Sequence, residues 1–277
     1  MTVSWAKVLE FLDTSMVTPT SYGWFHILFF ALSIVAGVAL CFVLKDGQKY
    51  APRVVLTAAV VVLLLEVYKM VNFGFGDTYA TKLDYSFQWY AFPFQFCSTP
   101  MYVGLAAGIL GKGRVHDCLC AYLATYAMFA GLCVMIYPGD VFMDTVGINI
   151  QTMVCHGSML TVGIYLFGSG YVRAEHKTIL KALPVFCGMV AIAMGLNEWA
   201  YRSGLLEQHD FNMFYFSPYQ PAHLPVYSDV QNALGVDNPL SFVIYIIGFT
   251  LAAYVVLLIA MGIRALLTPA HKQKSFA

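Results

Sequence analysis

The chain has 277 residues, of which 60% are hydrophobic and only 11% charged, against roughly 25% charged in an ordinary soluble domain. With a mean hydropathy of +0.70, this is the composition of a polytopic membrane protein. Fifteen Lys and Arg balance fifteen Asp and Glu, so nothing suggests nucleic acid as a partner.

The start, Met1-Thr2-Val3-Ser4-Trp5-Ala6-Lys7, has no compact basic region ahead of an apolar core, and a cleaved signal peptide is not expected. Seven apolar stretches follow, each near the ~20 residues that cross a bilayer as a helix: 24–44, 54–73, 89–110, 118–137, 148–167, 179–201 and 240–263. Their runs are continuous rather than alternating, which excludes a transmembrane barrel. The expected fold is all-α, a bundle of seven transmembrane helices in a single domain over residues 1–277. Span two carries Glu66, Lys69 and Asn72 in its last turns, and span three carries Phe94-Gln95-Phe96-Cys97. Span five carries Gln151-Thr152-Met153-Val154-Cys155-His156. Span six ends Asn197-Glu198-Trp199-Ala200-Tyr201-Arg202, before a loop holding Asp210-Phe211-Asn212-Met213-Phe214-Tyr215-Phe216. That aromatic stretch suits the headgroup layer of a membrane.

Eleven of the fifteen basic residues fall on one side of this arrangement and four on the other. Positive charge marks the cytoplasmic side, so the N-terminus is expected outside and the C-terminus in the cytoplasm. An odd number of spans agrees. On this reading every strongly polar side chain within a span lies in the outer half, as a cavity reached from the outer leaflet would require.

Cys97 and His156 then sit at similar depth, about two turns in from the outer face. An imidazole can draw the proton from a thiol, and a thiolate can take up an acyl chain. Glu66 or Glu198 is placed to orient the imidazole, and Lys69 to supply a positive field. Gln95, Asn72 and Asn197 are candidate donors to an oxyanion, side chains being preferred because helices use up their backbone amides. Cys155 is expected to point about 100° away from His156 on its helix. Each residue also has a structural alternative: an ion pair for Glu66 and Lys69, a cap or interface role for Glu198, interhelical hydrogen bonding for Asn197, a core histidine satisfied by a carbonyl for His156, a core thiol for Cys97. The seven cysteines are an odd set without loop spacing, so no disulfide framework is expected. Cys118-Leu119-Cys120 near His116 lacks a second ligand pair, and no metal is expected. No Gly-rich phosphate loop occurs and no cofactor is expected.

In four places, in matching order, the chain resembles the transmembrane protein 164 acyltransferase family and its bacterial YwaF-like relatives. These are Glu66-Val67-Tyr68-Lys69, Phe94-Gln95-Phe96-Cys97, Ile150-Gln151-Thr152-Met153-Val154-Cys155-His156 and Asp210–Pro218. The resemblance implies a membrane-embedded acyltransferase acting on phospholipids through a cysteine acyl-enzyme, with Cys97 the nucleophile and His156 the base. Relatives often carry a second histidine close to the cysteine; here the neighbours are Gln95, Phe96 and Ser98. Lys69 and Arg202 would then hold a lipid phosphate, and Asn212 and Tyr215 belong to a lid. The rival readings are a membrane lipid or ester hydrolase with the same chemistry, and a transporter or receptor with an outer polar pocket. The membrane is expected to be a bacterial plasma membrane or the endoplasmic reticulum. Substrate headgroup and protein partners stay open.

Overall fold

A computed structural model describes residues 11–75, 85–139 and 141–267. Lys7, Lys82, Lys272 and Lys274 of the charge count, and the signal-peptide expectation, lie outside them. The chain is helical: α1 (Trp24–Val43), α2 (Gly47–Phe75), α3 (Thr99–Ile109), α4 (Arg114–Tyr122), α5 (Met128–Ile136), α6 (Val146–Gly168), α7 (Lys177–Arg202), α8 (Tyr227–Leu234) and α9 (Pro239–Leu267). A π-helical turn, Leu123–Ala127, joins α4 to α5, and the three together cross as one span, Arg114–Ile136. Six helices among the described residues are long and apolar enough to cross a membrane, and α3 is a shorter apolar helix.

The third span is the exception to the expected pattern. It was expected to be helical over 89–110, yet after one 3-10 turn, Trp89–Ala91, the chain stays irregular until Thr99. Two prolines explain the break. Pro93 lacks a donor and forces Phe92 out of the helical region, where it is found at ψ 130°. Pro100 sits in the first turn of α3, where its missing N–H is harmless. The segment still runs the full thickness of the bundle. At one end Trp89 packs on Trp199 with ring centroids 5.9 Å apart. At the other, Lys112 donates to Gln48 at 3.0 Å. Irregular backbone at membrane depth is tolerated only where protein covers it.

Contacts define the same two ends throughout. At one end Tyr68 donates to the Leu12 carbonyl at 3.2 Å and Asn72 to Asp13 at 2.8 Å. At the other, Tyr165 donates to the Leu44 carbonyl at 2.8 Å, and Tyr254 meets His176 at 2.6 Å. Lys45, Lys49, Arg53, Lys112, Arg114, Arg173, Lys177 and Lys181 gather at this second end, which is the pattern the charge asymmetry required.

The core is aromatic. Tyr122, Tyr126 and Phe186 stack at 5.7 and 4.5 Å between centroids, and Phe249 and Tyr245 continue the stack at 6.1 and 4.4 Å. The loop expected to lie in the headgroup layer is instead part of this core: Phe211, Met213 and Phe214 are fully buried. It covers the irregular half of the third span.

Candidate active site

Cys97 lies in the last turn before α3, beside the start of a half-helix whose N-cap is Ser98. The Ser98 and Thr99 N–H groups both donate to the Gln95 carbonyl, at 2.9 and 3.0 Å. The Cys97 N–H donates to no backbone carbonyl among the described residues and reaches its own thiol. A helix start also presents a partial positive charge. The Met101 N–H donates to the Ser98 carbonyl at 3.1 Å and Pro100 has no N–H, so the amides of the first turn of α3 are used up as expected. Cys97 is a wall of a cavity of about 30 Å³ shared with Cys155, Ser158 and Met159 of α6, Gly104 of α3, and Leu123 and Ala127 of the π turn. π turns occur often at functional sites because they re-aim the side chains around them.

A polar chain from α2 and α6 ends at Cys155 on the cavity wall. Lys69 Nζ donates to Glu66 Oε2 at 2.7 Å, and Gln151 Nε2 to Glu66 Oε1 at 2.9 Å. Gln151 also reaches Cys155 Sγ at 3.3 Å. Glu66, Gln151 and Cys155 are buried. The charges of Glu66 and Lys69 act on both Cys97 and Cys155, and that of Lys69 on His156. Glu66 thus pairs with Lys69, one of the two roles its sequence suggested.

His156 is buried, and its ring is oriented by its own helix: Nδ1 donates to the Thr152 carbonyl at 2.7 Å. A carbonyl only accepts, so the proton sits on Nδ1 and Nε2 is the basic nitrogen. Nε2 has no hydrogen-bond partner among the described residues. The orienting group is therefore Thr152, in place of the carboxylate that sequence favoured; Glu198 pairs elsewhere. His156 is also one residue beyond the face that lines the Cys97 cavity. That face belongs to Cys155, Ser158, Met159 and Val162, at helical spacings i, i+3, i+4 and i+7, with Gln151 one turn earlier. The same spacing was visible in sequence and places Cys155 on the cavity wall with Cys97.

The remaining candidates separate. Gln95 and Asn197 hold the aromatic loop. Gln95 donates to the Asn212 carbonyl and accepts from the Phe214 N–H, both at 2.9 Å. Asn197 donates to the Met213 carbonyl at 3.0 Å and accepts from its N–H at 2.7 Å. Asn212 closes the loop on itself, accepting from the Ser217 N–H at 2.9 Å and donating to the Gln220 and Pro221 carbonyls. Tyr215 is half-buried and stands with Phe214 at positive φ, +51° and +60°. Asn72 is tied to Asp13. Glu198 and Arg202 form an exposed pair at 2.5 Å, and Tyr219 donates to the same carboxylate. Glu198 pushes the Tyr219 hydroxyl above its ordinary pKa. Among the described residues no cluster of His, Cys, Asp or Glu is arranged to hold a metal.

No curated protein and no solved structure matches the chain. A family model does, over residues 21–261, and it is that of the TMEM164 family. The match runs from before α1 into the last span, α9, and includes both Cys97 and His156, so this multi-pass membrane protein belongs to the TMEM164 family.

Proposed function

We propose that the protein is an acyltransferase that moves a fatty acyl chain between membrane phospholipids, with Cys97 as acyl carrier and His156 as general base. One observation carries the reading: Cys97 stands at the broken start of a half-helix, on the wall of a small apolar cavity. In the first half-reaction Cys97 Sγ attacks the ester carbonyl of a phospholipid. The thiol proton passes to His156 Nε2, and the oxyanion meets the partial positive charge at the start of α3. The C–O bond then breaks, and His156 returns the proton to the departing lysolipid oxygen. In the second half-reaction the hydroxyl of another lysolipid attacks the thioester, His156 takes its proton, and the thiol is restored. Side-chain motion on lipid binding brings Nε2 to the sulfur, as catalytic hydrogen bonds often tighten only in the complex. The apolar walls favour transfer over hydrolysis, since water finds few partners there. The membrane is a bacterial plasma membrane or the endoplasmic reticulum.

The test is intact-mass spectrometry of the detergent-purified protein incubated with phosphatidylcholine, comparing wild type with Cys97→Ala, Cys97→Ser and His156→Ala. A hydroxylamine-labile acyl adduct on Cys97 that discharges onto added lysolipid is expected. Cys97→Ser should trap a hydroxylamine-resistant ester or none, and His156→Ala should form the adduct at least a hundredfold more slowly, at the low end of general-base effects, roughly 10²–10⁴. A Cys97 that takes no acyl group, and is no more reactive than Cys155, would transfer the assignment to a binding or transport protein.

A further inference from the structure

α1 and α2 both pack against α6 but make no extended contact with each other. The gap between them is a groove of about 590 Å³, open toward the lipid along one side. Its walls are mostly apolar, with Ala36 and Leu40 on α1, Leu44 just past its end and Val54 on α2. The hydroxyls of Ser33 and Thr161 in it are already committed: Ser33 donates to the Phe29 carbonyl at 2.7 Å and Thr161 to the Ser33 carbonyl at 2.8 Å. Little in the groove asks for a polar ligand.

Its inner wall is the informative part. Ala58, Ser158 and Val162 line both this groove and the cavity of Cys97. The partition is thus one side chain thick and made of small residues. Ser158 Oγ is folded back onto the Cys155 carbonyl at 2.8 Å, leaving its β-carbon as the wall. The polar chain Lys69–Glu66–Gln151 lies on the other side of Cys97, toward the opposite end of α2. A lipid whose ester reached Cys97 would have its polar part on that side and its tail facing the partition.

We propose that the α1–α2 groove is the slot for the hydrocarbon tail of the acyl group carried on Cys97, and that its depth selects the chain length. The proposal rests on the acyl-enzyme reading above. The tail passes between Ala58 and Ser158 and runs along α1 toward Leu44. From Ser33, at the level of the partition, to Leu44 the slot is roughly 16 Å deep at 1.5 Å per residue. With C–C bonds near 1.5 Å an extended chain advances roughly 1.3 Å per carbon, so about a dozen carbons fit beyond the partition. The volume also falls within the roughly 300–1,000 Å³ of ligand pockets. Arg53, exposed, is the one charged residue of the lining.

The experiment charges the full-length protein with phosphatidylcholines bearing lauroyl, myristoyl, palmitoyl or stearoyl chains in competition, and reads the adduct on Cys97 by intact mass. Ala36→Phe and Thr57→Phe each fill the slot partway, and Leu44→Ala extends its far end. Leu251→Phe, on the lipid-exposed surface of α9, is the control. The filled variants should raise the lauroyl-to-palmitoyl ratio at least tenfold, a one- to two-methylene misfit being worth about that much. Leu44→Ala should shift the ratio toward stearoyl, and Leu251→Phe should keep the wild-type ratio. An adduct on Cys97 whose chain distribution is the same in all variants overturns the slot and leaves the acyl-enzyme standing. No adduct with any chain in the wild type overturns the acyl-enzyme and the slot together.

Discussion

The side chain of Gln95 holds the backbone of Phe214. Its oxygen accepts the Phe214 N–H at 2.9 Å while Phe214 stands at φ +60°, and Tyr245 donates to the Phe214 carbonyl at 2.8 Å. Two consecutive residues with side chains in the left-handed region, Phe214 and Tyr215, are strained by about 1–3 kcal/mol each and persist only when neighbours over-determine them. Gln95, Asn197 and Tyr245 do so here. The aromatic loop is thereby pressed into the bundle, over the irregular chain that leads to Cys97.

Replacing Gln95 by Ala should strand the buried Phe214 N–H, at about 1–3 kcal/mol, and leave the Asn212 carbonyl with the Tyr215 N–H at 3.2 Å as its remaining donor. We expect the apparent melting temperature in detergent to fall by roughly 5–10 °C, with a similar fall for Asn197→Ala. An oxyanion donor would behave differently, with slow acylation of Cys97 and unchanged melting. Measuring both quantities on both variants separates the two roles.

The Glu66–Lys69 pair makes a second prediction. Lys69 is 15% exposed and Glu66 5% at the side chain, so removing one partner strands a buried charge at about 3–5 kcal/mol. Glu66→Gln and Lys69→Met should each destabilise strongly, and the double variant should recover most of the loss. Thermal unfolding of the four proteins gives the coupling; additive losses would mean the pair contributes no mutual stabilisation. If Lys69 also supports the thiolate, the double variant should acylate Cys97 about tenfold more slowly despite its recovered stability, a tenfold rate corresponding to about 1.4 kcal/mol.

Tyr171, in the loop after α6, meets His116 at 2.6 Å. Burial, with Cys120 and then Asp117, pushes its hydroxyl up to about 12 from the usual 10. Between those values the unfolded chain has released the proton and the folded chain keeps it. Stability contributed by the protonated hydroxyl is therefore full below about pH 10 and lost as pH rises through 12. Tyr171→Phe should flatten the alkaline limb of the stability curve relative to wild type, by at most one proton. It should also destabilise at neutral pH, because His116 Nδ1 is already buried without a partner. Parallel melting curves at neutral and alkaline pH check both statements.

Much of this was legible in sequence because membrane spans announce themselves by composition. Six stretches emerged as helices within a few residues of their expected ends, except that the second starts at Gly47 instead of residue 54, and most of the basic residues sorted to one end. The third span misled because hydropathy is blind to backbone: Phe92-Pro93 and Thr99-Pro100 stood in plain view as helix breakers, and an apolar run overruled them. The aromatic loop misled for a related reason. Phe and Tyr suit an interface and a core equally well, and only the partners Gln95 and Asn197, far away in sequence, decide for the core. Cys155 was set aside by measuring its angle from His156; measured from Gln151 and Ser158, the same helix turns it toward Glu66.

The closest approach of α5 to α6 puts the base itself to the test. A β-carbon on Gly131 would stand 2.5 Å from the His156 carbonyl oxygen and 2.8 Å from the Met159 β-carbon. Neither neighbour is the free end of a flexible chain, so Gly131→Ala must push the helices apart. Overpacking of this kind is destabilising by about 1–3 kcal/mol, and the displaced segment carries His156, Met159 and with them one wall of the Cys97 cavity. Gly188 on α7 is the matched comparison, because nothing lies within 4 Å of its added β-carbon. Gly188→Ala should be neutral or stabilising by up to about 1 kcal/mol, since alanine is the better helix former. Acylation of Cys97 should then fall in Gly131→Ala by more than its melting shift accounts for, and stay at wild-type rate in Gly188→Ala. Equal rates in the two variants, measured well below both melting temperatures, would mean that the register of α6 against α5 does not set the position of His156.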